Sequence, residues 1–145
     1  MRSLVLLIVL AGACNDVHGF EGTWTGPRVG TAAPLDINVA PNATATLTID
    51  QLDLHTISGA LSIDGVVTNA PFSSIAGAEA DVLSGITFDG SPSRVFLTFV
   101  SIPDNNGEAL VVIALYDDKR VEVRVLRGGN QALYAIFSLT QSETP

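Results

Sequence analysis

Val121-Glu122-Val123-Arg124-Val125 alternates apolar and charged residues without a break. That period of two puts the valines on the inner face of a strand and Arg120, Glu122 and Arg124 on the outer. Thr46-Leu47-Thr48-Ile49-Asp50 alternates likewise, but Leu52 and Leu54 fall on the other parity. One extra residue produces such a slip, so a β-bulge is expected near Gln51. Ile57, Gly59, Leu61 and Ile63 then share one phase. Val95 to Val100 and Leu110 to Leu115 are apolar on both parities. Strands of that kind are covered on both faces, or lie against a membrane or a partner. Phe96 and Phe99 sit on opposite parities of one strand, so one faces the core and the other a second layer, solvent or a partner.

Asp64-Gly65, Asp89-Gly90, Asn106-Gly107 and Gly128-Gly129-Asn130 are hairpin-type turn signals, and Tyr116 to Arg120 is a tight link between two strong strands. Strands are expected over 22–28, 35–39, 44–53, 55–63, 82–88, 94–101, 109–116, 120–127 and 132–140. Beyond residues 1–14 no window has a helical apolar period; a short helical turn fits Ser74 to Ala80. About eight strands joined by short connections, without a long crossing, predict an all-β, antiparallel up-and-down β-barrel; a β-sandwich is the alternative.

The N-terminus departs from this pattern. Arg2 precedes an unbroken apolar run from Leu4 to Leu10, and Ala11, Gly12 and Ala13 follow. This is the order of a secretory signal, and the run is too short for a permanent membrane-spanning helix. The sole cysteine, Cys14, comes directly after the small residues. Leu10-Ala11-Gly12-Ala13-Cys14 resembles the lipobox of bacterial lipoproteins, with the Leu four rather than three residues before the Cys. The resemblance implies a diacylglyceryl group on the Cys14 sulfur, cleavage before Cys14, further acylation of the new N-terminus and a place in the cell envelope. Asn15, not Asp, follows the Cys, which in that family favours the outer membrane over the inner. An ordinary secretory signal cut near Ala13, leaving Cys14 as a free thiol, is the other reading. The domain plan is a signal peptide over 1–13, a lipidated Cys and short tether over 14–21, a β domain over 22–140 and a polar tail over 141–145.

Composition narrows the function. Hydrophobic residues make up 47% of the chain and charged residues 15%, which suits a packed domain and not a disordered one. Seven basic residues against fifteen acidic ones argue against a nucleic-acid surface. Arg2 is the one charged residue ahead of Cys14, so cleavage leaves a net charge of −9. Such a chain is held at an anionic membrane by lipid and not by charge.

Gly22-Thr23-Trp24 opens the first strand after a short entry segment. It resembles the Gly-x-Trp of the lipocalin and wider calycin barrels. The resemblance implies that Trp24 closes the barrel floor beneath a basic residue of the last strand. Residues 132–140 hold no Arg or Lys, so Arg127 is the expected substitute.

No constellation for catalysis stands out. His18 lies in the tether and His55 in a turn or strand start, and a catalytic His would need an oriented partner and a nucleophile beside it. Gly-x-Ser-x-Gly, His-Glu-x-x-His and paired Cys/His spacings are absent from the sequence, so no metal and no enzyme are expected. Asp104 to Glu108 lacks the ligand spacing of a calcium loop and reads as a turn, as does Asp117-Asp118. Asn42-Ala43-Thr44 matches a glycosylation sequon but carries no weight in a bacterial lipoprotein. The expected function is non-enzymatic binding of a small apolar ligand, with Trp24 as candidate floor residue and no cofactor beyond the lipid on Cys14. The alternative is a solid-packed β domain that binds an envelope protein.

Overall fold

The computed structural model describes residues 17–30, 39–76, 86–102, 107–127 and 133–142. A 3-10 turn, Val17–Phe20, precedes eight strands: β1 (Gly22–Pro27), β2 (Thr44–Leu52), β3 (Thr56–Ile63), β4 (Val67–Ala76), β5 (Arg94–Ile102), β6 (Gly107–Tyr116), β7 (Arg120–Arg127) and β8 (Leu133–Gln141). Each pairs antiparallel with the next, and β8 returns to β1, so the sheet is a closed up-and-down barrel and not a sandwich. No helix among the described residues is long and apolar enough to cross a membrane.

The alternating positions build the interior. Leu47 and Ile49 of β2, Ile57 and Leu61 of β3, Val121 and Val123 of β7 and Phe137 and Leu139 of β8 are buried in one core. The bulge expected near Gln51 is present, with the β2–β3 register shifting between Ile49 and Gln51. Asp50 and Gln51 both face water, which returns Leu52 to the inside.

Gly22 opposite Ile49, Arg120 opposite Thr140, and Arg94 opposite Leu115 mark one end of the barrel, here called the floor. The end of β2 and start of β3, the end of β4 and start of β5, and the end of β6 and start of β7 lie there, together with the 3-10 turn; the opposite strand ends mark the far end. Closure is narrow, for β1 and β8 pair at Trp24↔Gln141 and Thr25↔Thr140, with a further bridge from Arg28 to Phe137. Gly26 passes so close to β8 that a Cβ there would run into the Ser138 carbonyl. A residue without a side chain is what permits this approach.

β4 is absent from the sequence expectations, and its residues explain why. Its inward positions include the small Ala70 and Ser74 beside Val67 and Phe72, so the apolar alternation is weak. Asn69 has φ of 55°, and the register with β3 slips between Leu61 and Ile63. Pro71 also argues against a strand interior. The structure accommodates it through an opening in the sheet. Ser73 turns its carbonyl towards β5, where it accepts a 3.2 Å bond from Thr98 Oγ1. By the two-residue alternation Pro71 faces the same way, and there the ladder is open. β4 and β5 pair at Ile75↔Leu97 and Ala76↔Phe96 and nowhere else. Pro71 therefore forfeits no strand hydrogen bond.

The helical turn over Ser74 to Ala80 is wrong for residues 74–76, which end β4; residues 77–80 lie outside the described ones. The strand over 82–88 is wrong for 86–88, which are irregular; 82–85 lie outside the described residues, as does 35–38 of the strand expected at 35–39. Asp89-Gly90 is a bend in the β4–β5 connection and not a hairpin between paired strands.

Residues 86–93 account for the strands that are apolar on both faces. Leu97, Leu110, Val112 and Leu126 form a second apolar cluster on the outer face of β5, β6 and β7, and Ile86 and Phe88 pack over it. Ser93 ties the segment down through its backbone N–H to the Leu115 carbonyl at 2.8 Å. Arg124 donates to Thr87 O at 2.8 Å and Arg120 to Asp89 O at 3.0 Å. Arg124 also lies over the Phe88 ring and Arg120 over the Tyr116 ring, their guanidinium carbons 5.0 Å and 3.8 Å from the centroids. Between the two arginines Glu122 is 4% exposed and paired with both. The charged face of β7 thus points away from the barrel but lies under a strap of the same chain.

Candidate functional site

Trp24 is fully buried. Its Nε1 donates to the Phe20 carbonyl at 2.8 Å, and the two rings stack with centroids 5.5 Å apart at 23°. The indole N–H would otherwise be a buried donor without a partner. The Lys119 ammonium sits over the Phe20 ring, 4.6 Å from its centroid. Lys119 has φ of 61° in the Asp117-Asp118-Lys119 turn, and its N–H bonds the Tyr116 carbonyl at 3.0 Å. A basic residue does cover the floor aromatics, but it comes from the β6–β7 turn and acts through Phe20. The expectation for Arg127 is wrong, because β7 begins at the floor with Arg120 opposite Thr140 and ends at the far end with Arg127 opposite Ala109.

The other sequence candidates are not brought together. His18 falls in the 3-10 turn, and His55 is exposed in the β2–β3 turn. Asp53 shapes that turn: its carboxylate accepts from the backbone N–H of His55 and Thr56, both at 2.7 Å, and from Thr56 Oγ1 at 2.8 Å. The bonds from the His55 N–H and then from Thr56 hold the Asp53 carboxyl below its ordinary 3.8. Asp117 and Asp118 are exposed, and Glu108 is exposed on β6, while Asp104 to Asn106 lie outside the described residues. Among the described residues no group of three or more His, Cys, Asp or Glu is placed to hold a metal. Cys14 lies outside the described residues.

A position the sequence did not single out lies on the inner wall. Ser74 is 7% exposed, and its Oγ is buried without a hydrogen-bond partner. It sits one residue past Ile75↔Leu97, the last paired rung of the β4–β5 seam. Thr98, also buried, stands across from it, but its hydroxyl is committed to the Ser73 carbonyl. Beyond this point β4 and β5 are unpaired, and Phe72, Ala70, Val100 and Ile102 line the apolar inner wall on either side. The sequence held no signal for this, since a serine in an unread strand looks like a loop residue. The wall offers mostly apolar contact and one convergent hydroxyl, the composition of a small-molecule site.

No family model and no curated protein matches the chain. Among solved structures it is similar to a crystal structure of a mutant of the fluorescent protein UnaG, at 16% identity and a TM-score of 0.42, over 88% of this chain and 99% of that one. The barrel assignment rests on the strand register of this chain, in which all eight strands pair in sequence order and close.

Proposed function

We propose that this is a lipid-anchored protein of the bacterial envelope whose barrel binds a small apolar ligand carrying one hydrogen-bonding group. The observation that carries the reading is the Ser74 hydroxyl, buried without a partner on an apolar wall beside an open seam. A buried hydroxyl left unpaired costs about 1–3 kcal/mol. A ligand carbonyl or hydroxyl at that point would recover the cost, and the surrounding aliphatic and aromatic side chains would cover the rest of the molecule. An eight-stranded barrel is wide enough to be filled by its own side chains or to hold one small ligand. The anchor is supported by the order Leu10-Ala11-Gly12-Ala13-Cys14. No catalytic step is part of the reading. The alternative, an envelope protein partner, drew on strands apolar on both faces; residues 86–93 cover that face, which leaves Phe99, 57% exposed, as its support.

Native mass spectrometry of residues 15–145, purified without detergent, tests the ligand. A reproducible added mass that is lost on denaturation is expected. Ser74→Ala then separates the two roles of the hydroxyl. It should raise the stability of the ligand-free barrel by about 1 kcal/mol, because an unpaired polar group is removed. It should also lower the fraction that retains the added mass. A clean apo mass for the parent, with Ser74→Ala neutral or destabilising, would overturn the ligand reading.

A further inference from the structure

We infer that the floor of the barrel is the face laid against the bilayer carrying the Cys14 lipid, with the Leu54 turn as its contact. The inference rests on the anchor proposed above and adds the orientation that anchor imposes. Three observations converge. First, the chain is fastened at the floor before it becomes a strand: Phe20 is 5% exposed, stacked on Trp24, bonded to its indole and covered by Lys119. Second, three Cα steps separate Cys14 from Val17, where the fastened turn begins, a reach of at most about 11 Å. β6 has ten residues, which at the usual strand rise and barrel tilt puts the far end about 25 Å from the floor. The tether cannot span that height. Third, the floor carries an exposed apolar side chain, Leu54, 47% exposed at the tip of the β2–β3 turn. The Asp53 carboxylate, bonded to two backbone N–H groups and the Thr56 hydroxyl, holds that tip in shape.

The two other exposed large apolar residues are out of reach. Val29 is on the chain beyond β1, towards the far end. Phe99 is five residues up β5 from the floor, on a strand across the barrel from β1. Charge does not hold this face to the lipid. Glu21, Asp50, Asp53, Asp117 and Asp118 are exposed around it and outnumber the exposed Lys119, whose ammonium lies over Phe20. The short tether and Leu54 set the contact, and the far end is turned to the aqueous side.

The test uses the full lipidated chain in vesicles of phosphatidylethanolamine and phosphatidylglycerol. With Cys14 acylated, Leu54→Cys, Val29→Cys and Phe99→Cys each offer one thiol for an environment-sensitive fluorophore. Trp24 emission confirms that each variant is folded. The expected result is blue-shifted emission at position 54, with loss of intensity on adding doxyl-labelled lipid, and neither effect at 29 or 99. Acylated, vesicle-bound protein with position 54 in water, or with 29 or 99 quenched instead, would overturn the orientation and leave the anchor standing. Protein that lacks the acyl mass and does not float with vesicles would overturn both.

Discussion

Trp24 carries the floor of this barrel through three contacts at once: a stack, an indole hydrogen bond and complete burial. Trp24→Ala removes all three and leaves a cavity, so a loss of about 3–5 kcal/mol is expected, read as a lower urea midpoint. A midpoint unchanged from the parent would place the side chain outside the cooperative core. Asp53 supplies the pH-sensitive residue. Its folded value lies below the ordinary 3.8, so its contribution is complete above that value and is lost as the pH falls through the folded one. An NMR titration of the Asp53 carboxyl should give a midpoint below 3.8, with the His55 and Thr56 amide signals moving in step. A midpoint at or above it would mean that the turn is not held by those bonds. Trp24 was legible at this scale because it is the sole tryptophan and stands in a local motif. Phe20, Lys119 and Ser74 were not, since their roles depend on partners remote in the chain or on a strand with a weak pattern.

Strands with strong alternation could be read closely from the sequence. The expected 44–53, 55–63 and 120–127 became Thr44–Leu52, Thr56–Ile63 and Arg120–Arg127. Weak alternation hid β4, where Pro71 and Asn69 break the propensity and Ala70 and Ser74 blunt the inner face. The reverse error arose at 86–88, where Ile86 and Phe88 are apolar because they cover the outside of the sheet, not because they pair within it. The strap and its clamp make a prediction at this scale. Glu122 is buried between Arg120 and Arg124, and the Arg120 side chain keeps 26% exposure. Glu122→Gln keeps the size and removes the charge that both guanidiniums face. The expected loss is about 3 kcal/mol, the low end for a broken buried pair because Arg120 retains some water. Amide exchange at Ser93, bonded to Leu115, should accelerate more than exchange in β2 or β3 if the strap loosens first. Uniform acceleration would show that the strap has no independent role.

At the scale of the whole molecule, the anchor proposed above can be tested separately from the closed barrel. Cys14→Ser should release the protein from the membrane fraction or leave it unprocessed, while the barrel keeps its β-type circular dichroism. Unchanged fractionation would sink the anchor. The net charge of −8 makes this a clean test, because a chain with fifteen acidic and seven basic residues is not held at anionic lipid by net charge.

The sequence by itself determined the all-β class, the antiparallel order and the β2 bulge, for each is encoded by neighbours a few positions apart. Side-chain alternation, turn residues and an apolar run are local properties, and a period of two leaves little freedom about which face is buried. The tertiary structure decided what distant residues do to one another. It closed the sheet through the side-chain-free passage of Gly26 beside Ser138, laid residues 86–93 over the second face of β6, and brought Lys119 to Phe20 and Trp24. It also left the β4–β5 ladder open above Ser74. Each of these depends on strand register around a whole barrel, a sum over eight pairings that no single window of sequence contains.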